Sequence, residues 1–233
     1  MTDWTQEYPV EGPPEATGVL VGLQCSDMPV GGTMWFAVAG GETPGGEAWQ
    51  PLESGKITIV NPNESVFLHT NWPAGVQTTM KVGYSGPEPS PGGSIEPTIG
   101  IEAPGSSLDS AEEVTAQTWP QEFPVAGPTE AGNVAIGLRC SQVPAGSTVR
   151  FTTSGGGGVA PLDSGERAVV SSEESYLLQQ EWPANYSTIL KVWLTVQGEA
   201  PSTAALVLRA ARVISKGKYV ELETFWVRKI PAG

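Results

Sequence analysis

The groups from which an acid–base, nucleophilic or metal site is assembled are few in this chain: one histidine and two cysteines, beside 25 Asp and Glu. A general base needs a titratable partner held near neutral pH, and His69 has no second histidine to work with. Its equivalent in an internal repeat is Gln179, so it reads as a polar surface residue of a strand. Cys25 and Cys140 fall at matching places in two repeats, which argues against a disulfide framework and for reduced, inward-facing thiols. The oxygen-rich NPNES at 61–65 lacks the Asp-x-Asp spacing of a calcium loop. GGGG at 155–158 is followed by no Lys-Ser/Thr and reads as a flexible turn rather than a phosphate cradle. The carboxylate pairs Glu112-Glu113 and Glu173-Glu174 lie in polar segments and read as solvated surface charge. The sequence thus predicts no enzyme, no catalytic residue, no metal and no cofactor.

Binding is the chemistry that remains. Trp35, Trp49 and Trp193 are expected at outward or loop positions, where an indole anchors a protein partner or a sugar ring, unless a neighbouring domain buries it. The second group is cationic. Residues 1–115 hold 15 acids against 2 bases, residues 116–199 hold 8 against 4, and residues 200–233 hold 2 against 6. Arg209, Arg212, Lys216, Lys218, Arg228 and Lys229 therefore form a basic end on a chain of net charge -13. They are candidates for an acidic partner surface, or for ordinary solubilisation of a strand face. A net charge of that sign argues against nucleic acid. No apolar run approaches the ~20 residues of a membrane helix, and no apolar h-region follows Met1, so the chain is expected to be made in the cytosol and to stay soluble.

The elements that position these residues come in two copies. Trp4, Gln6, Glu7, Pro9, Val10, Gly12 and Pro13 recur 115 residues later as Trp119, Gln121, Glu122, Pro124, Val125, Gly127 and Pro128, and VLVGLQCSDMP (19–29) recurs as VAIGLRCSQVP (134–144). After a length difference near residue 45 the offset becomes 110, and Ser54-Gly55 and Trp72-Pro73-Ala74 return as Ser164-Gly165 and Trp182-Pro183-Ala184. Being shared, Trp72 and Trp182 read as core or turn structure. Alternation puts Val19, Val21, Leu23 and Cys25 on one face, with Met34, Phe36, Met80, Val82 and Tyr84 inward from other strands, and the second copy follows suit. Short alternating runs between Gly, Pro, Asn and Ser turns predict an all-β chain of two tandem immunoglobulin-like antiparallel sandwiches of about seven strands each. The expected bounds are 1–104, a linker at 105–117, and 118–233, the last with an extra C-terminal hairpin at about 214–231 that is covered on both sides near Phe225 and Trp226, by the sister domain or another subunit. The prolines of the doubled opening predict an arm of polyproline character that lies along each sandwich without joining a sheet ladder.

An acidic, Gly- and Pro-rich chain of duplicated sandwiches with a basic terminal hairpin resembles the decoration, or cement, proteins of tailed-phage capsids. The resemblance is one of architecture and composition, and no site residue is carried over from it. It implies a virion location, a major capsid protein or other virion protein as partner, and stabilisation of the shell lattice. An acidic front and a basic back suit a homo-oligomer built head to tail. A tail or fibre component, and a carbohydrate-binding adhesive module using Trp35, Trp49 and Trp193, are the alternative readings.

Overall fold

A computed structural model of the 233-residue chain describes residues 1–12, 17–42, 48–49, 51–73, 76–103, 112–114, 118–169, 174–216 and 219–232. All regular structure among them is β. The chain forms two compact units, Met1–Ile101 with Ser215–Val220, and Glu102–Ile214 with Glu221–Gly233.

The first unit contains β1 (Thr2–Glu11), β2 (Thr17–Ser26), β3 (Thr33–Val38), four two-residue strands, β4 (Gly41–Glu42), β5 (Ala48–Trp49), β6 (Leu52–Glu53) and β7 (Ile57–Thr58), and then β8 (Glu64–Trp72), β9 (Gln77–Gly86) and β10 (Ser94–Glu102). One sheet runs β1-β9-β3-β6 with β7 also on β3, and a second set runs β10-β2-β8. The second unit contains β11 (Glu112–Glu113), β12 (Gln121–Ala126), β13 (Gly132–Ser141), β14 (Thr148–Thr153), β15 (Arg167–Ala168), β16 (Glu174–Trp182), β17 (Ser187–Thr195), β18 (Ala205–Ser215) and β19 (Val220–Pro231). Its sets run β12-β17-β14-β15 and β16-β13-β18-β19-β11.

The duplication holds residue for residue in the ladders. Leu23 faces Val66 as Leu138 faces Tyr176, and Gln6 faces Val82 as Gln121 faces Val192. Cys25 faces Ile95 as Cys140 faces Leu206, which makes β18 the counterpart of β10. Beyond the strands with counterparts in the first unit lie β11 and β19, and β19 neighbours β18 in the sheet after a turn in which the Lys216 amide donates to the Tyr219 carbonyl. Of the expected linker, Glu112–Glu113 pairs in parallel with Arg228–Lys229 of β19.

The predicted inward residues are buried in both units, and the two sheets of the first unit meet where Cys25 Sγ lies 3.3 Å from Met34 Sδ. Both cysteines are free thiols. Alternation understates the burial, however. Leu20 and Ala135 on the opposite parity are also buried, and so is every residue from Ala205 to Ala211. A strand buried on both faces carries a near-continuous apolar run.

The opening segments are the clearest correction. They are sheet strands and not arms laid along the domain outside its ladders, since β1 pairs with β9 over all ten residues and β12 pairs with β17. Both lie at the edge of their sheet, where a proline's missing N–H costs no ladder bond, so Pro9 and Pro124 are accommodated. Each strand is followed by a glycine pressed against the buried tryptophan segment. A β-carbon on Gly12 would stand 2.1 Å from the Trp72 ring, and one on Gly127 would stand 2.1 Å from the Tyr186 carbonyl oxygen and 3.2 Å from Trp182. The same glycines donate N–H bonds to the carbonyls of Val76 (3.1 Å) and Tyr186 (2.7 Å). A second shared device is the Ser-Gly turn. The hydroxyls of Ser54 and Ser164 accept from the Phe36 and Phe151 amides at 2.9 and 2.8 Å and donate to the next residue's carbonyl, while Gly55 and Gly165 take positive φ of 66° and 62°.

Gly12→Ala is expected to lower stability by about 1–3 kcal/mol through overpacking against Trp72. Gly41→Ala, where no atom of the described residues lies within 4 Å of the added carbon, is expected to change it by less than about 0.5 kcal/mol. Urea unfolding followed by tryptophan emission compares the two.

Candidate functional site

The three candidate indoles have three different fates. Trp49, on the two-residue strand β5, is 9% exposed and packs on Trp72 with ring centroids 4.6 Å apart. It is part of the core and not an anchor, because the short β4–β5 ladder folds it back over the buried indole. Trp35 and Trp193 do lie on the outer face of their sheets, half-exposed.

These two indoles occupy one equivalent cross-strand pair from opposite strands. In the first unit Trp35 of β3 faces Gly83 of β9; in the second, Arg150 of β14 faces Trp193 of β17. Trp35 lies close over Gly83, whose absent β-carbon would sit 2.2 Å from the ring. Trp193 is instead approached by the Arg150 guanidinium at 5.2 Å and by Lys191 Nζ at 5.5 Å from the ring centroid. Arg150 is further held by Asp163 in a two-pronged pair at 3.0 and 2.6 Å. The hydrogen bond from Arg150 holds the Asp163 carboxyl below its ordinary value of 3.8, with a further bond from the Gly165 amide. The repeat offsets of 115 and 110 put Arg150 at the place of Trp35 and Trp193 at that of Gly83, and the ladder register shows that the two differences fall on one facing pair.

The cationic candidates are largely answered within their own unit. Arg209 is a correction: it is 1% exposed, not a surface charge, and pairs with Glu102. Among the described residues its Nε and Nη2 have no hydrogen-bond partner. Position 209 lies opposite Gly137 of β13 in a stretch buried on both faces, which no count of charges along the chain reveals. Arg212 bridges Glu130 at 2.9 Å and Glu223 at 3.2 Å, and Arg228 pairs with Glu112 at 3.2 Å while lying over the Trp226 ring. Lys216 is exposed at the turn between β18 and β19, where its amide donates to the Tyr219 carbonyl. Lys229 is half-buried and its carbonyl accepts from Val114. Lys218 lies outside the described residues. Phe225 is half-buried, with its ring 6.4 Å from that of Trp182 in the same unit.

Other readings from the sequence shift as well. Glu174 is buried, 1% exposed, beside Tyr176, whose hydroxyl is pushed upward by burial and by that carboxylate. Arg167 covers the same tyrosine ring at 5.1 Å, so this is an internal polar cluster and not surface charge. Glu173 lies outside the described residues. The GGGG turn is closed by reciprocal hydrogen bonds between Gly156 and Val159, with positive φ at Gly156, Gly157 and Gly158. The oxygens of NPNES serve the loop itself: Asn63 accepts from the Asp27 amide, Asn61 from the Asn63 amide and Glu64 from the Asn61 amide. His69 falls opposite Leu20 on β8, and its side chain lies outside the described residues. Among the described residues no three His, Cys, Asp or Glu side chains gather as a metal site.

No protein-family model matches the chain, and no curated protein matches it.

Two measurements follow from this geometry. Glu102→Ala strands a buried guanidinium and is expected to cost about 3–5 kcal/mol of stability, while Arg212→Ala, at a partly exposed pair, costs about 0–1 kcal/mol by chemical denaturation. The stabilising Arg150–Asp163 pair is present above the ordinary carboxyl value and is lost as pH falls through the lowered pKa. Trp193 emission is therefore expected to change with a midpoint below 3.8, and Asp163→Asn is expected to remove that transition.

Proposed function

We propose that the chain is a non-enzymatic structural protein of a tailed-phage virion, two tandem immunoglobulin-like β-sandwiches that decorate a capsid and stabilise its lattice. The observation that carries the reading is the residue-for-residue match of ladders between the units. What both copies retain, the buried tryptophans, the glycines against them and the Ser-Gly turns, holds strands and turns in place. Two rigid sheet platforms on one chain suit a cementing role, in which a protein that binds only the assembled lattice stabilises it by mass action. The partner surface belongs on the broad sheet faces instead of an array of C-terminal cations, because Arg209, Arg212 and Arg228 are engaged with Glu102, Glu130, Glu223 and Glu112.

The test is co-sedimentation of the purified protein with intact shells and with unassembled capsid protein, at low and at physiological salt. Binding to shells alone, with a raised temperature of shell disruption, is the expected result. Binding to isolated tails in place of shells would assign the protein to the tail, and binding to neither at low salt would refute the virion reading.

A further inference from the structure

The outer face of the first unit carries an open site whose counterpart in the second unit is occupied by the protein's own arginine. Trp35, Phe36, Ala37, Glu53, Gly55 and Lys56 line a groove of about 250 Å³. Phe36 is buried beneath it, while Glu53, Gly55 and Lys56 are exposed and Trp35 is half-exposed. The matching positions in the second unit are Arg150, Asp163, Gly165 and Glu166, and there the Arg150 guanidinium binds Asp163 and lies toward the Trp193 ring, with Glu166 adding to the field that favours the cation.

The first unit differs at two decisive places. Its indole comes from β3 and lies on Gly83, so no arginine is present at this pair position. Its flanking charges are of opposite sign, Glu53 where the second unit has Asp163 and Lys56 where it has Glu166. That change alters the chemistry the groove can hold. A cation entering beside Trp35 meets Lys56, and an anion meets Glu53. A neutral polyhydroxylated ring meets neither penalty, because its hydroxyls donate to the carboxylate and accept from the ammonium, while its C–H face lies on the indole. We infer that the Trp35 groove is a saccharide subsite that takes a single neutral pyranose ring. The inference does not depend on what the virion partner is, and it excludes Trp49 and Trp193 from the site, since Trp49 is core and Trp193 has its ring engaged by Arg150 and Lys191.

The experiment displays the intact chain in many copies on fluorescent beads, so that a weak single-ring site is read through avidity, against an array of neutral and acidic glycans. In parallel, the indole N–H resonance of Trp35 is followed by NMR while methyl pyranosides or arginine amide are added. Neutral glycans are expected to bind in preference to acidic ones, and the pyranosides to move the Trp35 resonance more than arginine amide does. Trp35→Ala and Glu53→Gln are each expected to reduce the bead signal about tenfold, a change of the size that loss of one stacking or charge-assisted contact brings. Trp193→Ala should leave it unchanged. Glu53→Gln keeps the indole and the backbone intact, so it decides the matter if Trp35→Ala perturbs folding. The inference is overturned by an absence of glycan signal, by a preference for acidic glycans, by a larger response to arginine amide, or by binding that survives Glu53→Gln.

Discussion

The contact on which each unit depends is the seating of its opening strand against a buried tryptophan. Gly12 and Gly127 come so close to the Trp72 and Trp182 segments that no β-carbon fits, and each donates its amide to a carbonyl of the turn that follows the indole. In the first unit that carbonyl, on Val76, also accepts from the Trp72 Nε1–H at 3.1 Å. One small residue thereby ties an edge strand, a turn and the largest side chain of the core together. Such a junction is sensitive to a single added methyl because packed interiors leave no slack to absorb it. The repetition of the opening phrase, with its glycine at the same distance from the first core strand, is explained by that seat.

The charges obey a related constraint. A chain with 25 acids and 12 bases has carboxylates to spare, and the folded protein uses them where its arginines are hardest to solvate. Arg209 is nearly inaccessible and is held by Glu102, while Arg212 meets Glu223 of β19 and Glu130 of the β12–β13 connection, and Arg228 meets Glu112 of β11. Much of the positive charge gathered at the C-terminal end is therefore met by acids from other segments. Ladders bring residues more than 80 positions apart within 3 Å, as with Arg212 and Glu130, so a running total of charge along the chain is a poor guide to the field at its surface.

Much of the fold was legible because a β-strand writes its orientation into the parity of its side chains. The inward faces read from Val19 to Cys25 and from Met80 to Tyr84 are buried, as are their copies. Two kinds of residue defeated that reading. Strands covered on both faces, such as Ala205 to Ala211, lose the alternation that parity depends on. Proline in an edge strand mimics a segment outside the sheet, because only the position of the strand within the sheet says whether its N–H is needed. For the candidate site, outwardness was read correctly for Trp35 and Trp193 and wrongly for Trp49, whose two-residue strand is too short to carry a pattern.

That the regular structure is β, that the chain is a duplication, which alternating residues are buried, and that the thiols stay apart all follow from the amino-acid order. These are consequences of composition, repeat spacing and a two-residue period, all of them local quantities. Only the tertiary structure shows which arginines are buried, that Trp49 joins the core, and that the indole of one cross-strand pair moves to the facing strand in the second copy while an arginine takes its former place. Those outcomes rest on cross-strand register, and register couples residues whose separation along the chain carries no local signal.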